Sequence, residues 1–169
     1  MIDVIALSMV CCPEVAPQTM AAIVTYESRG NPFAIHLNGP AHLSRQPATA
    51  EEAIEVARRL ERAGWSFDAG LGMLNNTTIR HLRASWVEVF TPCRNLQLAA
   101  RVLIPCYLHA GSESGEQDRI ARALSCYNTG TYTLGFDNGY VGRVYQAAPH
   151  TRPQRNGERA AQQLREFPN

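Results

Sequence analysis

Tyr26-Glu27-Ser28-Arg29-Gly30-Asn31-Pro32 follows directly on the apolar run Thr19-Met20-Ala21-Ala22-Ile23-Val24-Thr25, and this junction decides the fold. Met20, Ile23, Val24 and Glu27 are spaced i, i+3, i+4, i+7, so a helix carries all four on one face, directed at the core. Gly30 and Pro32 stop that helix, because Gly accepts a positive φ at a C-terminus and Pro cannot continue the hydrogen-bond ladder. A carboxyl group at the inward, C-terminal end of a helix sits where its charge is disfavoured. Partial burial and the negative end of the helix dipole both favour the protonated form. Those are the conditions that make a general acid. Taken alone, Glu27 reads more readily as a solvent-facing helix-end residue or a partner of Arg29, since most glutamates are exposed. The rest of the chain has to decide.

The chain has 169 residues, the size of a single domain with a real core. Its 45% apolar and 18% charged content fits a folded rather than a disordered protein. A net charge of +1 gives no strong field toward nucleic acid or a membrane surface. No apolar stretch reaches the ~18 residues of a membrane span. The opening Met1–Val10 carries Asp3 and lacks a basic leader region, so no export signal is evident. The five cysteines, Cys11, Cys12, Cys93, Cys106 and Cys126, nevertheless suit an oxidising compartment, with one left over. With no C-x-x-C and no close Cys/His cluster, a zinc site is not expected. Spacing alone leaves the pairing open.

In chain order, Ile2–Met9 predicts a short helix closed at Cys11-Cys12-Pro13, and Pro17-Gln18-Thr19 starts the Glu27 helix. Phe33–Pro47 reads as a loop or minimal hairpin. Thr49 with Glu52 forms a capping-box signature for a helix running to Gly64, with an exposed Glu55/Arg59 pair. Trp65–Asn76 is a Gly-rich turn whose asparagines can cap or bind polar ligands. Thr78–Val89 reads as one short helix, Asn95–Ala110 as a longer one interrupted or kinked at Pro105. Gln117–Tyr127 is helical and leaves Tyr127 and Asn128 at its end. Leu134–Asn138 reads as a loop. Gly139–Ala147 is a last helix with Tyr140, Val144 and Tyr145 as its inward candidates. From residue 149 to 169 the composition turns polar, and this stretch is expected to be a flexible tail to a 1–148 domain.

In order along the chain, several of these stretches resemble the lysozyme-like lytic transglycosylases of peptidoglycan, and more narrowly those encoded with type IV secretion and conjugation systems. "APQTMAAIVTYESRGNPFAI" resembles the family's catalytic block, with its Glu at Glu27 and Ser28, Asn31 and Pro32 in their places. "RQPATAEEA" resembles the segment before the next helix, and "FDAGLGMLN" the Gly-Leu-x-Gln-(Ile/Val)-Asn block. "TPCRNL", "LSCYNTG" and "GFDNGYV" are similar to three later blocks, the last placing Tyr140 toward the active site. Met73 stands where the family usually has Gln, which puts one substrate or backbone contact in question.

The resemblance implies a mainly α, lysozyme-like fold of the goose-type or soluble lytic transglycosylase kind, with at most a minimal β-hairpin. It implies cleavage of the bond between N-acetylmuramic acid and N-acetylglucosamine by one catalytic residue, Glu27, to a 1,6-anhydro product. Glycosidases usually need two carboxyl groups. Here the substrate's own C6 hydroxyl would act as nucleophile. Asp68 could be a second carboxylate but reads better as a turn or cap residue. Glu51, Glu52, Glu55 and Glu61 belong to a charged, solvated helix. Ser28, Asn31, Met73, Asn75, Tyr127, Asn128 and Tyr140 are the candidate substrate contacts, with Tyr127 or Tyr140 holding Glu27. Expected disulfides are Cys12–Cys93, tying the start of the Glu27 helix to the Cys93 region, and Cys106–Cys126, with Cys11 unpaired; buried free thiols are the alternative. No metal or nucleotide cofactor is expected. The expected setting is a periplasmic monomer acting on glycan strands, with secretion-machine proteins as partners and neither nucleic acid nor a membrane span involved. A weak or inactive peptidoglycan-binding assembly factor of the same fold is the alternative. An unrelated helical protein would show no cleft at Glu27.

Overall fold

The computed structural model of the chain describes residues 2–111 and 115–149. The 149–169 tail therefore lies, but for its first residue, outside the described residues. At the centre is α2 (Pro17–Ser28), entered through Pro17 at its first position. Pro suits that position because its missing N–H is one the helix leaves unpaired anyway. Met20, Ile23 and Val24 are fully buried on α2, each contributing roughly 2 kcal/mol of apolar burial. The helix ends with Arg29 and Gly30 both in the left-handed region, φ 54° and 77°. The Asn31 Oδ1 then accepts from the Phe33 N–H at 3.0 Å and turns the chain.

Two helices flank α2: α1 (Val4–Cys11), capped by Asp3, and α9 (Tyr140–Ala147). The second axis of the molecule is α6 (Pro92–Leu108), which packs on α1 and on α7 (Glu116–Thr129). Pro105 sits inside α6 without ending it. No described helix is long and apolar enough to cross a membrane.

The chain also forms an antiparallel sheet of β1 (Ile35–Leu37), β2 (Phe67–Ala69) and β3 (Leu74–Asn75), ordered β1-β2-β3. It has one two-residue strand more than a hairpin. Ile35 pairs with Ala69, and Asp68 with both His36 and Asn75. The Gln46 side chain makes both a donor and an acceptor bond to Ile35, 2.9 Å each, covering the outer edge of β1.

Thr49 caps α3 (Ala50–Arg62) by accepting from the Glu52 N–H. The Glu52 carboxylate, however, accepts from the Ala48 N–H at 2.8 Å and pairs with Arg45, so the box is half made. Glu55 and Arg59 do form the expected exposed pair. Glu61 accepts from the Trp86 indole N–H at 3.0 Å, so it is not simply solvated.

Three local expectations are corrected. The stretch 78–89 is two helices, α4 (Asn76–His81) and α5 (Trp86–Val89), because Ser85 and Glu88 build a full capping box that restarts the chain. Residues 134–137 form a single helical turn, α8 (Leu134–Asp137), whose Gly135 N–H donates to the Ser125 hydroxyl at 2.9 Å. Tyr145 is 40% exposed, its hydroxyl donating to the Gln117 carbonyl, whereas Tyr140 and Val144 are buried.

The disulfides are Cys11–Cys93 and Cys106–Cys126, and Cys12 is the buried free thiol. The Cys12–Cys93 expectation is thus wrong by one residue. Cys11 is the last residue of α1, which packs on α6, and successive helical residues point about 100° apart, so Cys12 turns elsewhere in the core. Burial, then the nearby Glu14 charge, push the Cys12 thiol up to about 11.

Candidate active site

The last turn of α2 brings Glu27 out of the core and into a cleft of about 450 Å³. Its walls are Asp68 and Asn75 from the sheet, Met73 from the turn between β2 and β3, Val102 from α6, and Tyr127, Asn128 and Thr129 from the end of α7. The Cys106–Cys126 bridge also lines it. A more apolar cavity of about 350 Å³ between α6 and α7 is lined by Leu103, Ile120 and Leu124. Glu116 at that cavity accepts from the Tyr107 hydroxyl at 2.7 Å.

Behind Glu27, buried Tyr140 donates its hydroxyl hydrogen to Glu27 Oε1 at 2.6 Å. The Tyr26 ring meets Tyr140 edge-on, with centroids 5.2 Å apart, and fixes its tilt. Burial pushes the Glu27 carboxyl up from 4.5 to about 7, against the lowering effect of the Tyr140 hydrogen bond and with help from the Asp68 charge. Tyr140 and Tyr127 are themselves held well above the ordinary phenol range, first by burial and then by the Glu27 charge. Both therefore stay protonated donors. A carboxyl near neutrality can give a proton in one step and take one back in the next.

The cleft floor rests on the turn at Gly70-Leu71-Gly72. Buried Asn95 of α6 accepts from the Gly72 N–H at 2.8 Å and donates to the Val89 carbonyl at 2.8 Å. A Cβ on Gly70, at φ 79°, would fall onto the Asn95 side chain, so only glycine allows this approach. The Tyr127 hydroxyl donates to the Gly72 carbonyl at 2.7 Å, joining α7 to the same turn. Met73 follows in the left-handed region, φ 45°, its N–H donating to the Gly70 carbonyl at 3.2 Å.

Of the residues expected at the site, Met73, Asn75, Tyr127 and Asn128 line the cleft with Glu27. Tyr140 stands behind the acid rather than in the cleft. Ser28 and Asn31 are not brought there: the buried Ser28 hydroxyl donates to the Val24 carbonyl of its own helix at 3.2 Å, and Asn31 is spent on its turn. Asn128 accepts from the Asn138 amide at 3.0 Å. Sequence reasoning set Asp68 aside and gave Thr78, Val102 and Thr129 no role, although all four line the cleft. No cluster of His, Cys, Asp and Glu able to hold a metal ion occurs among the described residues.

This arrangement can be set beside known proteins. The Transglycosylase SLT domain matches residues 8–148. The chain belongs to the SLT transglycosylase family. It is similar to the "Type IV secretion system protein virB1" of Brucella abortus biovar 1, 38% identical over 158 residues, covering 89% of this chain and 66% of that protein. "Protein virB1" of Agrobacterium fabrum is 38% identical over 143 residues, 85% of this chain and 58% of that one. "Protein virB1" of Rhizobium radiobacter is 40% identical over 141 residues, with 82% and 57% covered. The SLT chain thus spans somewhat under two thirds of the relatives it matches. No solved structure matches it. The lysozyme-like, mainly helical fold expected from the sequence is the fold of this SLT domain.

Proposed function

We propose that this SLT domain is a peptidoglycan lytic transglycosylase with Glu27 as its single acid and base. The observation that carries the reading is the Glu27 carboxyl, protonated up to about pH 7 and held by Tyr140 at the head of a cleft. Glu27 gives its proton to the oxygen joining N-acetylmuramic acid to N-acetylglucosamine. The C1–O bond breaks, and its electron pair leaves with that oxygen. The Glu27 carboxylate then removes the proton from the muramoyl C6 hydroxyl as O6 bonds to C1. The product is the 1,6-anhydro sugar, no water is consumed, and Glu27 ends protonated as it began.

Met73, Asn75, Tyr127 and Asn128 would contact the glycan, Tyr127 with its apolar ring, since its hydroxyl is bound to the Gly72 carbonyl. The two disulfides suit an oxidising compartment, in keeping with a periplasmic site of action. Likeness to the virB1 proteins supports a role in opening the wall locally for a type IV secretion or conjugation apparatus, whose components would be its protein partners.

The test is mass spectrometry of muropeptides released from purified peptidoglycan by wild type and by Glu27→Gln. Anhydro-muropeptides are expected from wild type and none above background from the variant. Reducing-end products would make the protein a hydrolase. No product from either, with sedimentation on peptidoglycan retained, would leave a binding and assembly factor.

A further inference from the structure

The geometry points to Asn138 as a positioning residue that turns the Asn128 amide so that it presents hydrogen-bond donors to the glycan. The inference rests on the reading above, which places Asn128 against the sugar strand. Asn138 and Gly139 are the two residues that join α8 to α9. The Asn138 Oδ1 accepts from the Tyr140 N–H at 2.8 Å, and its Nδ2 donates to the Asn128 Oδ1 at 3.0 Å. Asn128 lies in the last turn of α7 and lines the cleft, while the Tyr140 hydroxyl holds Glu27. One side chain outside the cleft thus bonds to a residue of its wall and to the residue that holds the acid.

The direction of both amides follows from a single atom. A backbone N–H can only donate, so the Asn138 atom that meets Tyr140 is its oxygen. Its NH₂ is then the end that faces Asn128, and Asn128 must offer its oxygen in return. The Asn128 NH₂ is left over, and among the described residues no group accepts from it. Asn128 is exposed at the cleft, so these N–H bonds are open to the glycan. A donor fixed in this way selects an oxygen that can only accept, a carbonyl or an ether oxygen, because a hydroxyl could meet either end of the amide. The joint that carries Asn138 is itself held. The Arg143 Nη2 donates to the Asn138 carbonyl at 3.0 Å, and its Nε donates to the Tyr26 hydroxyl at 2.9 Å. Gly139 stands at φ 75°, and a Cβ there would lie 2.7 Å from the Arg143 Nη1. A group held beforehand in its bound direction loses little freedom on binding.

Asn138→Asp separates this role from that of a cap. Asp keeps an oxygen for the Tyr140 N–H, so the start of α9 stays bonded. Its other oxygen faces Asn128, whose amide then turns its NH₂ to the new carboxylate and its oxygen to the cleft. The readout is calorimetric binding of soluble, uncross-linked glycan strands, made from purified peptidoglycan, in the Glu27→Gln background. The dissociation constant should rise roughly tenfold, with the melting temperature within about 4 °C of the parent. In Asn128→Ala, which has no amide to turn, adding Asn138→Asp should change affinity by less than about twofold. Unchanged affinity in Asn138→Asp would overturn the proposal, as would strands that do not bind the parent at all. An equal loss with and without the Asn128 amide would overturn it too, since the new charge or a shifted α9 would then be the cause. Should Asn138→Asp lose the parent's circular dichroism spectrum, Asn138→Ser, whose hydroxyl can accept from the Tyr140 N–H but cannot reach Asn128, is read in the same ways. Protein with Glu27 intact that shows the expected binding pattern but releases no anhydro product sinks the reading of function. Release of that product with affinity unmoved by Asn138→Asp sinks this inference alone.

Discussion

The Tyr140 hydroxyl and the Asp68 carboxylate act on the Glu27 proton in opposite directions. The tyrosine stabilises the anion by donating to it, and the aspartate repels it, while burial outweighs both. In Tyr140→Phe the one lowering influence is gone, so Glu27 holds its proton to a pH above about 7. The alkaline limb of kcat/KM should therefore move up, which rates on purified peptidoglycan from about pH 5 to about pH 9 would show. A limb that stays in place or moves down would mean the acid is held by something else. The inward direction of Glu27 was legible in the sequence because three apolar neighbours share its helical face. Its partners were less so. Asp68 is separated from it by forty residues and reads locally as a turn. The choice between Cys11 and Cys12 turned on one step of helical rotation, which spacing cannot resolve.

Among the elements, helices longer than two turns could be read from periodicity and caps, but the sheet could not. Strands of three, three and two residues are too short to show alternation, and their hydrogen bonds come from residues far along the chain. The Gly70-Leu71-Gly72 turn shows what such short pieces depend on. A Cβ on Gly72 would stand 2.8 Å from the Tyr127 hydroxyl and 3.0 Å from the Ala99 Cβ. Gly72→Ala must push α6 and α7 from the turn, and a loss of roughly 2 kcal/mol in urea unfolding is expected. Gly142→Ala on α9, where the new methyl meets open space, should be neutral or gain up to about 1 kcal/mol. Equal effects of the two changes would show that the turn is not tightly packed.

At the scale of the whole molecule, α6 joins α1, α5 and α7. It carries Asn95 under the cleft floor, and each disulfide has one end on it, Cys93 in its first turn and Cys106 in its last. The first bridge closes a separation of 82 residues and the second one of 20. Chain-entropy arguments then give roughly 4.5 kcal/mol for the first and about 3 kcal/mol for the second. Cys93→Ser should accordingly lower the urea midpoint more than Cys106→Ser; the reverse order would mean that native contacts rather than chain entropy set the effect. The same bridge has a topological result. Residues 11 to 93 form a closed covalent ring containing Glu27, Asp68, Met73 and Asn75. A protease that cuts this ring once, after exposed Arg45 or Arg62 for instance, opens a loop but separates nothing, and the acid, the sheet and α6 remain parts of one molecule.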